Sequence, residues 1–299
     1  MKRKIFPYFR HAKEIHLKNL IILLVLLSTI GLSAQSQKIG VRAGLNRSWF
    51  SGPLETNESM TRNGGFHFGI NYSYYFNDYV GLRFELLYNQ RGTSQDYLGE
   101  TYYILKRGSE RLLDYGQTDY SLAISNGYLS LPISASFYVR PKIEIFGGAS
   151  VDFLISPTGR GKIEYTSTEF PDGIFFTQSM DFDYYNDEAG GIPLFSRQTI
   201  ALIVEGEPFP IPRLIGGYYF FSDKDGNRFR PIDLSLHAGL NYFLNTGFFI
   251  GATINYGLSD VTRNQMDVAL GELNPDGSFI LRDDNDHQLS LQFSIGFRF

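Results

Sequence analysis

A histidine and two aspartates are the first residues to test for chemistry. His67, Asp152 and Asp233 are the types that orient and activate a serine nucleophile in a hydrolytic site, whereas His237 falls with the lumen residues. No signature of that chemistry accompanies them: the chain has no G-x-S-x-G, no H-E-x-x-H and no P-loop. A second group is acidic. Asp283, Asp284 and Asp286 follow Asp276 and Gly277, and clustered carboxylates can hold Ca²⁺ through oxygen. The EF-hand spacing is absent, so a solvated acidic loop is the simpler reading. There is no cysteine, which removes zinc-thiolate sites, disulfides and thiol nucleophiles. No cofactor, metal or catalytic residue is expected from these residues. The third group is the largest. Arg42, Arg83, Glu85, Glu144 and Arg298 carry mixed charge and stand in segments whose alternate residues are apolar. What they can do depends on the elements that hold them.

The first 34 residues read as an export signal. Six Lys/Arg precede a 13-residue apolar run, residues 20–32, and Ser33-Ala34 offers a small residue for cleavage. Thirteen helical residues at about 1.5 Å each reach about 20 Å, short of the roughly 30 Å of a bilayer core. Without them the chain has 21 basic and 30 acidic residues, a charge of −9. A nucleic-acid partner is excluded, because such a chain repels phosphate.

Period two dominates the remainder. In 287–299 one parity reads Leu289, Leu291, Phe293, Ile295, Phe297, Phe299 and the other Gln288, Ser290, Gln292, Ser294, Gly296, Arg298. On a helix, residues two apart form no single face, so this is a strand. The same template predicts strands at 38–47, 66–76, 80–89, 128–139, 143–153, 232–243 and 248–259. Ten residues at about 3.3 Å, tilted by about 40°, span roughly 25 Å, the apolar height of an outer-membrane barrel.

The connections alternate short (77–79, 140–142, 244–247) and long (about 50–65, 92–127, 154–231, 260–286). That pattern predicts an all-β, eight-stranded antiparallel transmembrane barrel with long extracellular loops and periplasmic termini. Within 154–231, short strands are expected at 162–168, 174–183 and 199–205. A hairpin is expected around Lys224-Asp225-Gly226-Asn227, and Pro208, Pro210 and Pro212 are expected to break the middle. Two domains result: residues 1–34 as signal peptide and 35–299 as barrel, with 154–231 forming a long external loop or β-lid. A ten-stranded barrel is the alternative.

A soluble barrel or sandwich would bury the apolar parity instead. Three features favour lipid. The polar parity is rich in Gly and Ser, as a narrow lumen requires. Aromatics crowd the short-turn ends, among them Tyr74, Tyr75, Phe76, Tyr79, Phe137, Tyr138, Tyr242, Phe243, Phe248, Phe249 and Phe297, as an interfacial girdle. Finally, Phe299 ends an alternating strand, the form of terminus that the barrel-assembly machinery reads. Expected partners are therefore outer-membrane lipid, the assembly machinery through Phe299, and envelope or secretion proteins.

The segments KIGVRAGLN (38–46), YLSLPISASFYV (128–139), IFGGASVDFLIS (145–156) and INYGLSDV (254–261) together resemble PorT-like outer-membrane barrels. The resemblance spans nearly all of 38–299 outside the long loops, and 154–231 is long for that family. It implies an eight-stranded barrel in the cell outer membrane. The family's namesake serves a secretion system, whereas most members have no assigned activity.

On such a barrel, Arg42, Arg83, Glu85, Glu144 and Arg298 face the lumen and are expected to pair in one network, with Gly40, Gly81, Gly251 and Gly296 making room. Three function classes follow. One is a structural or interaction scaffold; the second is a ligand-binding barrel or narrow channel; the third is an outer-rim hydrolase. The acidic external loops favour a basic or cation-bridged partner.

Overall fold

The computed structural model describes residues 37–299 except 109, 169–173, 193–198 and 205. The expected signal peptide lies outside the described residues. Fourteen strands are described. They are β1 (Gln37–Ser51), β2 (Glu58–Tyr75), β3 (Val80–Arg107), β4 (Glu110–Arg140), β5 (Ile143–Ser167), β6 (Phe175–Asp183) and β7 (Thr199–Val204). There follow β8 (Glu207–Pro212), β9 (Leu214–Ile215), β10 (Ile232–Phe243), β11 (Phe248–Gly257), β12 (Val268–Leu273), β13 (Phe279–Leu281) and β14 (His287–Arg298).

Eight of them close a ring in the order β1-β2-β3-β4-β5-β10-β11-β14, antiparallel from β2 round through β14 to β1. The ring closes where β1 meets β14, from Gly40 opposite Arg298 to Ser51 opposite His287, and where β5 meets β10. These are the eight strands expected from alternation. Closure leaves no unpaired sheet edge, as a span through hydrocarbon requires. The ten-stranded alternative fails because β10 pairs directly with the lower half of β5, while β6 pairs only with its upper half, residues 158–166.

The two faces of the ring settle its solvent. Leu45, Ile70, Leu131, Leu236, Phe293 and Ile295 are exposed, and Asn46, Asn71, Ser130, Ser134, Gln292 and Ser294 are buried. A water-soluble barrel has the reverse arrangement, so the outward face is built for lipid. Tyr74, Phe76, Tyr79, Phe137, Tyr242 and Phe297 form the exposed girdle at the short-turn end. Tyr75, Phe243 and Phe249 do not belong to it. They are buried, because they occupy the opposite parity of the same strands.

Above the membrane the inside changes character. Along β4 the buried residues run Ser136, Ser134, Ser130, then Tyr128, Ile124 and Leu122. Bulges mark the change, one in β4–β5 between Gly127 and Tyr128 and one in β2–β3 between Arg62 and His67. An extra residue there bends and twists the strands as they leave the barrel. The result is an external lobe with an ordinary apolar core, including Tyr103, Leu122, Ile163, Phe176, Phe182, Tyr184 and Phe229.

Three expectations about the loops are corrected. Residues 92–127 are no open connection: β3 and β4 stay paired from Gly92–Ser125 to Arg107–Glu110, turning at Gly108 with φ 60°. Pro208, Pro210 and Pro212 do not break the chain but lie in β8, paired with β7. They share one parity on a two-stranded ribbon, while Phe209 and Ile211 of the other parity fill the core. The hairpin around Lys224–Asn227 does not form. Tyr218 Oη accepts the Arg228 N–H at 2.9 Å, and Phe229 bridges to Thr262 instead. A side chain has taken the bond that a ladder would have used.

The boundary between membrane and lobe is testable. Phe293→Arg, on the lipid face, is expected to cost roughly 2–4 kcal/mol in a folding titration in lipid vesicles. Leu98→Arg, at a residue 71% exposed on the upper part of β3, is expected to change stability by less than about 0.5 kcal/mol. Equal costs would place Leu98 in the bilayer and undo this division.

Candidate functional site

The lumen is the first place where charged side chains converge. In its lower half, Arg42 Nη2 lies 2.7 Å from Glu85 Oε2, and Arg83 Nε lies 3.1 Å from Glu85 Oε1. Arg83 also reaches toward Glu144 at 3.7 Å. Arg298 grips Glu144 with both terminal nitrogens, at 3.0 and 2.9 Å, and Asn241 donates to the same carboxylate at 2.8 Å. Arg42, Arg83, Glu85, Glu144 and Arg298 thus form one connected cluster, all buried. The inward aromatics complete it. Arg83 stacks on Phe146 at 3.8 Å, and Arg298 donates to Tyr75 Oη and Tyr138 Oη. A guanidinium between π-faces and carboxylates is better compensated than by charge alone.

Two of the expected glycines make room for neighbours of the cluster rather than for its charges. A Cβ at Gly251 would sit 2.4 Å from Asn241 Oδ1, and one at Gly296 would sit 2.3 Å from the Phe249 ring. Asn241 holds Glu144, and Phe249 lies under Arg298 at 5.6 Å. The close approach depends on both side chains being absent.

The middle layer is built on histidine, amide and hydroxyl groups. His67 Nδ1 bonds Asn46 at 2.7 Å and its Nε2 bonds Ser294 at 2.8 Å. His237 Nε2 meets Ser134 Oγ at 2.7 Å. Between the layers, Arg42, Asn89, Asp152, His237 and Gln292 are among the residues around a gap of about 10 Å³, room for about one water.

At the rim a second ion cluster closes the lumen. Arg91 Nη2 lies 2.9 Å from Asp152 and 3.6 Å from Asp233, and stacks on Tyr128 at 4.4 Å. Ser150 and Ser235 donate to Asp152 at 2.7 and 3.0 Å. Arg91 lies outside the strand expected at 80–89, because the outward parity turns polar at Gln90. Its parity, two residues on from Asn89, was the available signal. With it, four arginines face four carboxylates in the lumen among the described residues.

The hydrolytic candidates are not assembled. Asp152 is engaged by Arg91 and serines. Neither histidine is hydrogen-bonded to an aspartate among the described residues. The Ser134–His237 pair is buried in the lumen, and its Nδ1 has no hydrogen-bond partner.

The acidic loop residues separate on folding. Asp276 accepts from its neighbour Ser278, and Asp283 from Asn264 at 2.6 Å. Asp284 and Asp286 instead gather with Asp267, ligand atoms lying within 4.8 Å of one another. Arg282 already serves that cluster, at 3.0 Å from Asp284 and 3.8 Å from Asp267, and also binds Glu58 at 3.1 Å. Burial, then the charge of Asp267, pushes the Asp286 carboxyl up to about 6. Burial also raises Asp267, against the pull of Arg228 and Arg282.

A closed eight-stranded ring with a lipid-facing exterior, a polar packed lumen and an external lobe defines an outer-membrane β-barrel. Residues 33–263 match the family described as outer membrane protein beta-barrel domain, and the chain belongs to that family. Its place is the cell outer membrane. The match takes in seven of the eight ring strands and stops before β14. A search of curated proteins returned no significant match.

Among solved structures the chain is similar to Ail, the attachment invasion locus protein of Yersinia pestis, in complex with the heparin analogue sucrose octasulfate. The identity is 12% and the TM-score 0.35, over 88% of this chain and 99% of that one. It is similar to Neisserial surface protein A at 13% identity and TM-score 0.30, over 87% and 97%. It is also similar to the outer membrane protease OmpT from Escherichia coli at 6% and 0.31, over 91% and 98%. The family assignment rests on the sequence match and not on these likenesses.

Two measurements probe these clusters. Glu144→Ala leaves Arg298 and Arg83 facing each other without their carboxylate and is expected to cost about 3–5 kcal/mol. Glu144→Met combined with Arg298→Met should be milder than the sum of the single changes by about 1 kcal/mol or more. Additive costs would mean that the pair is not coupled. The second concerns Asp286, whose carboxyl binds its proton more tightly folded than unfolded. Its contribution favours the fold below the unfolded value near 3.9 and is lost as pH rises through about 6. Amide exchange in residues 260–286, corrected for intrinsic rate, should therefore slow between pH 7 and pH 5. Faster exchange at pH 5, or loss of the difference only in a variant other than Asp286→Asn, would contradict the assignment.

Proposed function

We propose that this protein is a PorT-like scaffold barrel: a filled membrane cylinder that fixes an external β lobe for binding other envelope or secretion proteins. The observation that carries the reading is the lumen. Ion clusters at both ends, with a hydrogen-bonded layer between them, leave a water-sized gap where a porin has a channel. The PorT-like segments all run in or just beyond the ring strands β1, β4, β5 and β11, so that resemblance speaks for the cylinder. The lobe is what distinguishes this chain, and all four external connections are net acidic. A partner with a basic face, or one bridged by divalent cations, fits that surface. On this reading the protein is not an enzyme, since both described Ser–His pairs, Ser134–His237 and Ser294–His67, sit inside the plug.

Planar-bilayer recording tests the first half. The folded protein is expected to show no steady single-channel conductance, and Arg42→Ala with Glu85→Ala should introduce leak events. A large, steady wild-type conductance would promote the narrow-channel reading. For the second half, crosslinking and affinity capture from envelopes should retain the same partner with wild type. The partner should be lost when residues 154–231 are replaced by a short turn in a barrel that still folds. Retention by the truncated barrel would shift the binding function away from the lobe.

A further inference from the structure

We propose that the outer end of the lipid face carries a binding site for the phosphate headgroup of an outer-leaflet lipid, built from Arg47, Arg62 and Trp49. The inference is independent of the lobe's partner and of whether the lumen conducts. The height of the site follows from the outward residues of three neighbouring strands. On β1 exposed Leu45 is followed by Arg47, on β2 Phe66 gives way to Gly64, and on β3 Tyr88 gives way to Gln90. The first residue of each pair suits hydrocarbon and the second does not, so the upper membrane interface lies at this level. Trp49, the only tryptophan in the chain, stands one outward position above Arg47. That is the depth at which an indole is favoured.

The two arginines reach across each other's strands. Arg47 of β1 leans over β2, its Nη1 lying 3.6 Å from where a Cβ of Gly64 would stand. Arg62 of β2 leans back over β1 and stacks on the Trp49 ring at 4.9 Å. Both side chains are exposed, and among the described residues neither has an ion pair. Other exposed basic residues of this protein are matched: Arg160 by Asp181, Lys162 by Glu164 and Arg230 by Asp260. Two neighbouring cations without a counter-ion repel each other, and an anion placed between them reverses the sign of that interaction.

What lies beneath the arginines decides the carrier of that anion. Phe66, Phe68 and Tyr88 form a cluster on the lipid face, with Tyr88 at 5.5 Å from Phe66 and 5.4 Å from Phe68. Phe66 and Phe68 are exposed. A ligand that fills the whole patch must therefore set a charged group between the guanidinium forks and lay hydrocarbon down over the rings. A lipid does both. A free anion leaves the rings bare, and an acidic peptide would press polar backbone against them. Arginine forks match phosphate oxygens in pairs, which favours phosphate over a simple carboxylate. The external connections are net acidic, so a soluble polyanion meets repulsion on the rest of this rim.

The test uses the full-length protein folded into phosphatidylcholine vesicles doped with phosphatidic acid whose acyl chains carry bromine. Bromine quenches tryptophan on contact, and with Trp49 alone in the chain the quenching, read against unbrominated lipid, counts lipid at this site. Brominated phosphatidic acid is expected to be preferred over brominated phosphatidylcholine by about twentyfold, and brominated diacylglycerol, which lacks the phosphate, to show no preference. Arg47→Gln and Arg62→Gln are each expected to lower the preference about fivefold and together to abolish it. Arg140→Gln, at the short-turn end, should leave it unchanged. Excess inorganic phosphate is expected not to relieve the quenching. No preference for phosphatidic acid, or one that survives the double variant, overturns the proposal. Relief by inorganic phosphate would give the site to a free anion, and equal quenching by a brominated fatty acid would give it to charge alone; either result overturns it too.

Discussion

A strand with lipid on one face has only the lumen in which to place its polar side chains. That constraint organises the membrane half of this protein. Eight strands give an interior wide enough to be filled by side chains and no wider. Every inward charge must therefore find its counter-charge across a short distance, because an uncompensated ion in so dry a place is strongly destabilising. Arg42 with Glu85, Arg298 with Glu144, and Arg91 with Asp152 answer that demand across four of the eight ring strands, β1, β3, β5 and β14. The aromatic rings beneath Arg83, Arg91 and Arg298 belong to the same solution, since a guanidinium stacked on a ring keeps its donors free for carboxylates.

The same alternation produces a different interior once the solvent outside is water. β3, β4 and β5 run through the membrane boundary without a break, and their inward parity changes from serine, asparagine and arginine to leucine, isoleucine and tyrosine. Below the boundary hydrocarbon lies outside and polarity inside; above it the order reverses. The bulges near Gly127 and in β2–β3 lie at this boundary, where the strands must splay to admit β6 and the covering segments. The barrel and lobe therefore share strands, and the lobe inherits its position from ladder hydrogen bonds rather than from a linker.

How much of this was legible depends on the local signal. The C-terminal strand is unambiguous because six apolar residues alternate with six polar or small ones. Glu85 and Glu144 were legible for the same reason: an acid on a parity otherwise opposed to lipid can only point inward. Arg91 is harder to read, because the apolar partners that mark the lipid face stop at Tyr88 while its own parity continues inward. The lobe was harder to read. There apolar residues serve a core on one face while the other face meets water, and Gly, Pro and Asn suggest loops that tertiary pairing turns into strands. Pro210 shows this: proline argues against a central strand but not against a ribbon edge. Tyr218 shows the converse, where a turn sequence loses to a distant hydroxyl.

The balance of charge in the lumen bears on what the cylinder can be. Four arginines balance four carboxylates in number, three against two in the lower cluster and one against two at the rim, and opening a path would separate pairs held at 2.7 to 2.9 Å. Each separation exposes two charges to a space too narrow to hydrate them well. A plug of this kind resists graded widening, because its members share partners: moving Arg298 frees Glu144, which Arg83 and Asn241 also hold. A lumen that yields only by breaking several contacts together behaves as a rigid floor. Rigidity below suits recognition above, since a lobe built on continuous strands presents its surface without first ordering it.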